Sequence, residues 1–198
     1  MAHSRDNIGA QLTFVISSID NLNFGNKITD NKITNQLTRI SDFTKSTIIE
    51  LRDTIWAMNT NEFTYEDLQS RILNFIEKAK FAKETISFKF NINKELIDVK
   101  FSSIIGINVY RTIQEAVNNA IKYAEAKEIT VNIASENNQI KIIIEDNGKG
   151  FDLENIAFGN GIYNMEKRIE EIDGIFTIQS KINHGTTITI LLNKTQNT

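Results

Sequence analysis

The first sixty residues carry apolar side chains three and four positions apart, a spacing that predicts two long helices. In the first helix these positions are Ile8, Leu12, Val15, Ile19 and Leu22. In the second they are Ile33, Leu37, Ile40, Ile48, Leu51, Ile55 and Met58, with Thr44 in the same register. Residues 23–26 (NFGN) have the composition of a turn between them. Two helices alone cannot bury two such seams, so we expect dimerisation into a four-helix bundle.

The rest of the chain alternates between helical and strand patterns. We expect helices at residues 65–83, 103–124 and 162–172, and strands near 86–92, 129–133, 140–144, 176–178 and 188–192. Thr64 is a candidate N-cap, with Asp67 three residues later. Asn137 and Asn138 mark a hairpin. The pattern predicts an α+β fold: a helical hairpin over residues 1–60, then an α/β sandwich over residues 61–198, with an antiparallel sheet covered by helices on one face.

Composition narrows the classes of function. The 198 residues carry a formal net charge of −3, which argues against a nucleic-acid partner because such proteins usually have a basic excess. With no cysteine and only two histidines, thiolate and histidine-rich metal sites are excluded. No apolar run approaches the ~20 residues that span a bilayer. The absence of cysteine leaves the cellular compartment open.

A polar stripe runs along the helix predicted at residues 103–124. Glu115, Asn119 and Lys122 are three and four positions apart and share one face. A solvated surface would explain most stripes of this kind. Asn118 and Asn119 weaken that explanation, because asparagine is a poor helix former in the middle of a helix.

An apolar strand runs directly into an Asp-x-Gly-x-Gly sequence at Asp146, Gly148 and Gly150. A carboxylate at the end of a strand can accept a hydrogen bond from an exocyclic amine, and glycines let the backbone pass close to a flat ring. That combination suits adenine, although a simple glycine turn would have the same sequence.

Two weaker signals follow along the chain. Gly159 and Gly161 precede a helix, where backbone N–H groups and the helix dipole can bind phosphate. Thr186 and Thr187 follow a glycine at the start of the last strand. Each signal alone is also compatible with an ordinary turn.

Together and in this order, the motifs resemble the ATP-binding domain of sensor histidine kinases, part of a group that includes gyrase-type ATPases, heat-shock-90 chaperones and mismatch-repair ATPases. Residues 114–122 (QEAVNNAIK) resemble the N box, 146–151 (DNGKGF) and 159–161 (GNG) the two glycine boxes, and 185–187 (GTT) the closing Gly-Thr motif. Residues 5–12 (RDNIGAQL) resemble a phosphoacceptor motif, and 50–58 (ELRDTIWAM) the end of the second hairpin helix.

The resemblance implies ATP and Mg²⁺ as ligands, with a role for each matching residue. Asn119 would coordinate Mg²⁺, Glu115 would orient the attacking group or a metal-bound water, and Lys122 would approach phosphate. Asp146 would bind the adenine amino group. Tyr123, also among the candidate binding residues, occupies a position where the family often has histidine. The segment 150–159 would be a short ATP lid.

The resemblance also implies phosphoryl transfer from ATP to a histidine and onward to a response regulator, within a homodimer. It further implies a cytoplasmic portion, attached to a membrane only through segments outside this chain. Asp6 would hold the acceptor ring in its reactive tautomer. However, Arg5 stands where the acceptor histidine is expected, and arginine stays protonated. His3 lies about 200° away around an ideal helix, in a start that resembles vector sequence. We therefore expect ATP binding without autophosphorylation.

Other functions remain open on the sequence. In an ATPase of the gyrase or chaperone group, Glu115 would activate water. The chain could also be a non-catalytic dimerisation module with a degenerate nucleotide site. Ala10 occupies the place where some relatives have a glutamine that positions a hydrolytic water, which makes phosphatase activity doubtful.

Overall fold

The computed structural model describes residues 2–25, 31–59, 62–97, 99–153 and 160–194. Contacts between Cα atoms divide the chain into two compact units, Met1–Asn59 and Thr60–Thr198. The first unit consists of two helices, and the second combines helices with two sheets. This mixed architecture confirms the predicted α+β class.

Two long helices in contact with each other form the first unit, α1 (Ala2–Gly25) and α2 (Asn31–Asn59). The turn predicted at residues 23–26 was wrong in part, because α1 continues through Gly25. Residue 26 lies outside the described residues. Among the described helices, none is long and apolar enough to cross a bilayer.

The hairpin buries only part of its apolar surface. Ile19 and Ile48 are buried, together with the polar side chains of Ser41 and Thr44. Several large apolar side chains of the same two helices stay exposed in the single chain: Phe14, Val15, Leu22, Ile33, Ile40 and Phe43. An isolated hairpin therefore leaves much of its predicted seam in contact with water.

The described residues of the second unit form three α-helices and seven strands. The helices are α3 (Tyr65–Ala82), α4 (Ser103–Asn119) and α5 (Asn160–Glu170). The strands are β1 (Glu62–Thr64), β2 (Ser87–Ile92), β3 (Lys100–Ser102), β4 (Glu128–Glu136), β5 (Gln139–Asp146), β6 (Ile175–Ser180) and β7 (Thr186–Asn193). A short 3₁₀ turn, Lys94–Leu96, follows β2.

Five strands form the main sheet in the order β2-β4-β5-β7-β6. All neighbours are antiparallel except β2 and β4, which pair in parallel. The prediction of a purely antiparallel sheet was therefore wrong at one edge. A helical crossover through α4 separates β2 from β4 along the chain, and such a connection permits parallel pairing. The small antiparallel sheet of β1 and β3 was not predicted.

One face of the main sheet provides the core. Val131 pairs with Ile144, and Ile144 pairs with Ile188, so these buried side chains lie on the same face. The helices α3, α4 and α5 contact β2, β5 and β6 respectively. This is the predicted arrangement of a sheet with helices packed against its buried face.

Two local signals predicted from the sequence were confirmed, a helix cap and a hairpin turn. Thr64 and Asp67 form a reciprocal capping box: the Thr64 Oγ1 accepts from the Asp67 N–H at 3.2 Å, and the Thr64 N–H donates to the Asp67 carboxylate at 3.0 Å. Asn137 and Asn138 both have positive φ, 50° and 62°, as a two-residue hairpin with a type I′ turn requires.

Candidate nucleotide site

Helix α4 presents the predicted polar stripe beside a buried apolar face. Its first turn is capped by Ser102, whose Oγ accepts from the Ile105 N–H at 3.3 Å. The apolar face includes Ile113 and Val117, which are fully buried. Glu115 and Asn119 are half-buried, one helical turn apart, and both line a cavity above the sheet.

The helix does not continue as an α-helix to Ala124, as the sequence predicted. A π-helical segment, Ala120–Ala124, follows directly, and Glu125 ends it in the left-handed conformation with φ 56°. Segments of this kind are rare and are found frequently at functional sites. Tyr123 lies in this segment, lines the cavity and keeps 65% of its surface exposed. Lys122 is also exposed but is not among the residues that line the cavity.

Asp146 ends strand β5 at the edge of the same cavity. Its Oδ1 accepts a hydrogen bond from the Gly148 N–H at 2.8 Å. Thr186, its partner on β7, contributes further hydrogen bonds through both its side chain and its backbone. Burial nevertheless raises the pKa of Asp146, because the loss of water outweighs these hydrogen bonds, which act in the opposite direction.

The glycines after Asp146 allow close packing of the loop. A methyl group at Gly148 would collide with the carbonyl oxygen of Ala124, at the end of the π-helical segment. Gly150 has φ +56°, and a methyl group there would collide with the carbonyl of Lys181. The loop therefore passes between two neighbouring turns at distances that only glycine permits.

The start of α5 lies against the polar stripe of α4. A methyl group built on Gly161 would lie 2.6 Å from the Glu115 Oε1 and 3.5 Å from the Asn119 Nδ2. The N-terminus of α5 is thus beside both side chains, which the sequence had linked only by analogy. Gly159 lies outside the described residues.

These parts surround a cavity of about 410 Å³, a volume within the usual range for small-molecule sites. Seven of the predicted site residues line it: Glu115, Asn119, Tyr123, Asp146, Gly150, Gly161 and Thr186. Apolar side chains line much of the rest: Ala116, Ala120, Ile144, Phe151, Ile162, Met165, Ile178 and Ile188. The cavity combines an apolar surface for a flat ring with polar groups at two separate places.

Three predicted residues of the second unit do not line this cavity. Lys122 is exposed to solvent, Gly148 packs against the backbone of Ala124, and Thr187 pairs with Glu145 in the sheet. Asp6, predicted as a catalytic residue, lies within α1 in the other unit, and its side chain is outside what the structure describes.

Ser180 is a supporting residue that the sequence analysis missed. Its Oγ donates to the Gly185 carbonyl at 3.0 Å and accepts from the Phe151 N–H at 3.0 Å. The same oxygen lies 3.1 Å from the Thr186 Oγ1. A serine at the end of a strand gives no sequence signal of this role, since it joins the turn that follows it to Phe151, which lies 29 residues earlier in the chain.

Comparison with known proteins identifies similar chains. Residues 105–196 match the family described as histidine kinase-, DNA gyrase B- and HSP90-like ATPase. A 111-residue stretch is 36% identical to the signal transduction histidine-protein kinase/phosphatase DegS of Bacillus subtilis (strain 168). That alignment covers 53% of this chain but only 28% of the relative, so this chain spans a minor part of that protein's length.

The fold is shared with solved structures of low sequence identity. The histidine kinase domain of the Erythrobacter litoralis EL346 blue-light activated histidine kinase superimposes with a TM-score of 0.62 at 12% identity, over 98% of both chains. The Acinetobacter baumannii histidine kinase AdeS gives a TM-score of 0.61 at 16% identity, covering 92% of this chain and 94% of the other.

Proposed function

We infer a function for this chain from its similarity to sensor histidine kinases and from the match of residues 105–196 to the family of histidine kinase-, DNA gyrase B- and HSP90-like ATPases. We propose that it is a kinase core that binds Mg²⁺-ATP in the cavity of the second unit. The observation that carries the proposal is that one cavity is lined both by Asp146 and by the pair Glu115 and Asn119. Those two places suit the two ends of a nucleotide.

Adenine is proposed to bind at the end of the cavity near Asp146. The ionised carboxylate would accept a hydrogen bond from the 6-amino group, while Thr186 and the Gly148 N–H hold the carboxylate in place. Apolar neighbours such as Ile144 and Ile188 would contact the ring faces. Such a site favours adenine over a base without the amine, because the half-buried carboxylate would then lack its partner.

The phosphates are proposed to lie between α4 and the start of α5. Asn119 would supply one oxygen to Mg²⁺, which keeps most of its waters and takes few protein ligands. Glu115 would orient the attacking group or a metal-bound water. The half-buried side chains of both residues fit this role, and the nearby N-terminus of α5 attracts anions. When bound, Mg²⁺ would neutralise part of the phosphate charge. Lys122, exposed nearby along the chain, would approach phosphate, and Tyr123 would cover the mouth of the cavity.

The reaction is proposed to be transfer of the γ-phosphoryl group to a histidine ring nitrogen. The bond between the γ-phosphorus and its bridging oxygen breaks, ADP leaves, and a phosphorus–nitrogen bond forms. Asp6 would hold the acceptor ring from the next position in α1. Because Arg5 occupies the acceptor position, this chain should bind nucleotide without labelling itself.

The partners follow from the same proposal. The exposed apolar side chains of α1 and α2 would be buried in a homodimer, as a four-helix bundle requires. A response regulator would take the phosphoryl group in the cytoplasm. A phosphatase activity remains doubtful, since Ala10 provides no group that could position water.

A second candidate is ATP hydrolysis by the same site, with Glu115 activating water. The family that matches residues 105–196 includes gyrase-type and chaperone ATPases, which keeps this candidate relevant. The paired helices α1 and α2 favour the kinase.

Titration with ADP tests the proposed site directly. We expect Asp146→Asn to weaken ADP binding about tenfold or more, because an uncharged amide accepts the adenine amine less well and offers one acceptor oxygen instead of two. Binding can be measured by calorimetry, and thermal melting shows whether the variant folds. Equal affinity in a folded variant would remove Asp146 from base recognition.

A further inference from the structure

The loop that follows Asp146 is attached to its neighbours mainly by backbone hydrogen bonds. The Lys149 N–H donates to the Ala124 carbonyl at 2.8 Å, and the Asn183 N–H donates to the Lys149 carbonyl at 2.6 Å. An ion pair of 2.7 Å between Lys149 and Glu125 adds a contact at the surface, where it lowers the pKa of Glu125. The loop is thus connected to the turn after the π-helical segment and to the turn before β7.

Asn147 adds a contact of a different kind, through its side chain. Its Oδ1 accepts hydrogen bonds from the N–H groups of both Lys127 and Glu128, each at 2.9 Å. Its own N–H donates to the Glu128 carbonyl at 3.2 Å. Asn147 is therefore joined to the start of β4 by three hydrogen bonds, two through its side-chain oxygen and one through its backbone N–H.

This clamp acts directly next to the proposed base-binding carboxylate. Asp146 precedes Asn147, and Gly148, which follows it, donates its N–H to the Asp146 carboxylate. Rotation of the peptide planes around Asn147 would move both the carboxylate and the N–H that holds it. Fixing Asn147 against β4 therefore fixes the direction in which the Asp146 carboxylate faces the cavity.

We propose that Asn147 is a positioning residue for base recognition, which acts through Asp146 and does not touch the nucleotide. This inference rests on the proposed role of Asp146 in binding adenine. Its physical basis is preorganisation: a hydrogen-bonding group discriminates between ligands only if its direction is fixed before the ligand arrives. Without the clamp, part of the binding free energy would be spent on ordering the loop.

An amide suits this position better than a carboxylate. Glu145 and Asp146 precede it, so a third consecutive acid would bring another negative charge close to the buried carboxylate. Aspartate would nevertheless keep an oxygen at the same distance from the backbone. The variant Asn147→Asp therefore retains the two hydrogen bonds and changes only the charge, whereas Asn147→Ala removes the hydrogen bonds.

The test compares ADP with inosine diphosphate, whose base has a carbonyl in place of the 6-amino group. Affinities for both nucleotides are measured near pH 8, so that the carboxyl groups are ionised, in the parent, Asn147→Ala, Asn147→Asp and Asp146→Asn. Asn91→Ala is the matched control: it removes another exposed asparagine hydrogen bond, 2.9 Å to Asn132, which joins β2 to the middle of β4. Thermal melting checks that each variant folds.

We expect Asn147→Ala to lower ADP affinity about five- to tenfold, roughly the effect of losing one or two hydrogen bonds, while the affinity for inosine diphosphate changes little. The preference for ADP should therefore fall in Asn147→Ala, stay near the parent value in Asn147→Asp, and be unchanged in Asn91→Ala. Should Asn147→Ala fail to fold, Asn147→Ser replaces it in the comparison: its shorter side chain withdraws the acceptor oxygen from Lys127 and Glu128, and the same fall in the preference for ADP is expected.

The measured affinities distinguish a failure of the role proposed for Asn147 from a failure of the role proposed for Asp146. An equal loss for both nucleotides in Asn147→Ala, or no loss at all, would overturn the positioning role while leaving Asp146 in place. A lost preference in folded Asn147→Asp would also overturn it. If Asp146→Asn keeps the parent's preference for ADP, the proposed base recognition is wrong and the role of Asn147 fails with it.

Discussion

Asp146 combines a partly buried position with hydrogen bonds that stabilise its charged form. The Gly148 N–H and Thr186 direct donors at the carboxylate, yet burial dominates and raises its pKa. An ionised carboxylate that is partly removed from water gains strongly from one additional hydrogen-bond donor, because its neighbours replace only part of the hydration that it has lost. The adenine amino group is a donor of the required kind.

The raised pKa predicts how nucleotide binding depends on pH. Protonation removes the charged acceptor, so ADP affinity should fall as the pH decreases through the raised pKa, above the range in which an ordinary aspartate titrates. The contribution of Asp146 to the free energy of unfolding should instead increase as the pH decreases. A raised folded-state pKa contributes stability below the ordinary pKa, and that contribution is lost as the pH rises through the raised value.

Titrations of ADP and thermal unfolding across the acidic range measure both effects. Asp146→Asn is the control, since it lacks the titrating group. The difference in unfolding free energy between parent and variant should shift in favour of the parent as the pH falls. A pH dependence of binding that is the same in both proteins would contradict the assignment.

At the scale of elements, the sequence predicted what each segment is but not how the segments join. The apolar alternation of β5 and the capping box of α3 were readable because both are local patterns. The π-helical segment Ala120–Ala124 was not readable, since its residues also suit an α-helix and its end contacts a distant glycine loop. The parallel pairing of β2 with β4 was missed because alternation indicates which face of a strand is buried, not the direction of its neighbour.

Two glycines at these joints should respond differently to the same substitution. The methyl group in Gly148→Ala would meet backbone atoms of Ala124, which cannot move without displacing the helix end. We expect a loss of about 1–3 kcal/mol in unfolding free energy, as for other overpacked sites. In Gly161→Ala the methyl would meet the flexible tip of Glu115, so stability should stay within about 1 kcal/mol of the parent.

Nucleotide binding should also distinguish the Gly161→Ala variant from Gly148→Ala. The displaced Glu115 carboxylate in Gly161→Ala should weaken the Mg²⁺-dependent part of ADP binding several-fold in a protein that remains stable. Chemical denaturation and titrations with and without Mg²⁺ measure the two quantities. A stable Gly161→Ala variant with unchanged Mg²⁺ dependence would argue against a metal near Glu115 and Asn119.

Across the whole chain, the two units differ in how completely they bury their apolar side chains. The second unit buries the apolar face of its sheet under its own helices, whereas the hairpin leaves large apolar side chains exposed. Several large apolar side chains exposed together mark an interaction site in most soluble proteins. The hairpin is therefore the part of the chain for which a second copy is proposed.

Ile40→Glu should convert the proposed dimer into a monomer. Ile40 belongs to the predicted seam of α2 and keeps 43% of its surface exposed in the single chain. An ionised carboxylate buried between two hairpins would cost several kcal/mol. Phe81→Glu is the control, because Phe81 is 88% exposed on α3 in the other unit. Light scattering after size-exclusion chromatography should detect a dimer for the parent and the control only.

We propose that this chain binds ATP as a histidine kinase does and lacks only the residue that receives the phosphoryl group. Incubation of the parent and of Arg5→His with γ-labelled ATP and Mg²⁺ tests it most directly. We predict no label on the parent and label on the new histidine of the variant, since Asp6 directly follows that position. Stoichiometric label on a histidine of the parent, or no label on a variant that binds ATP, would contradict the account.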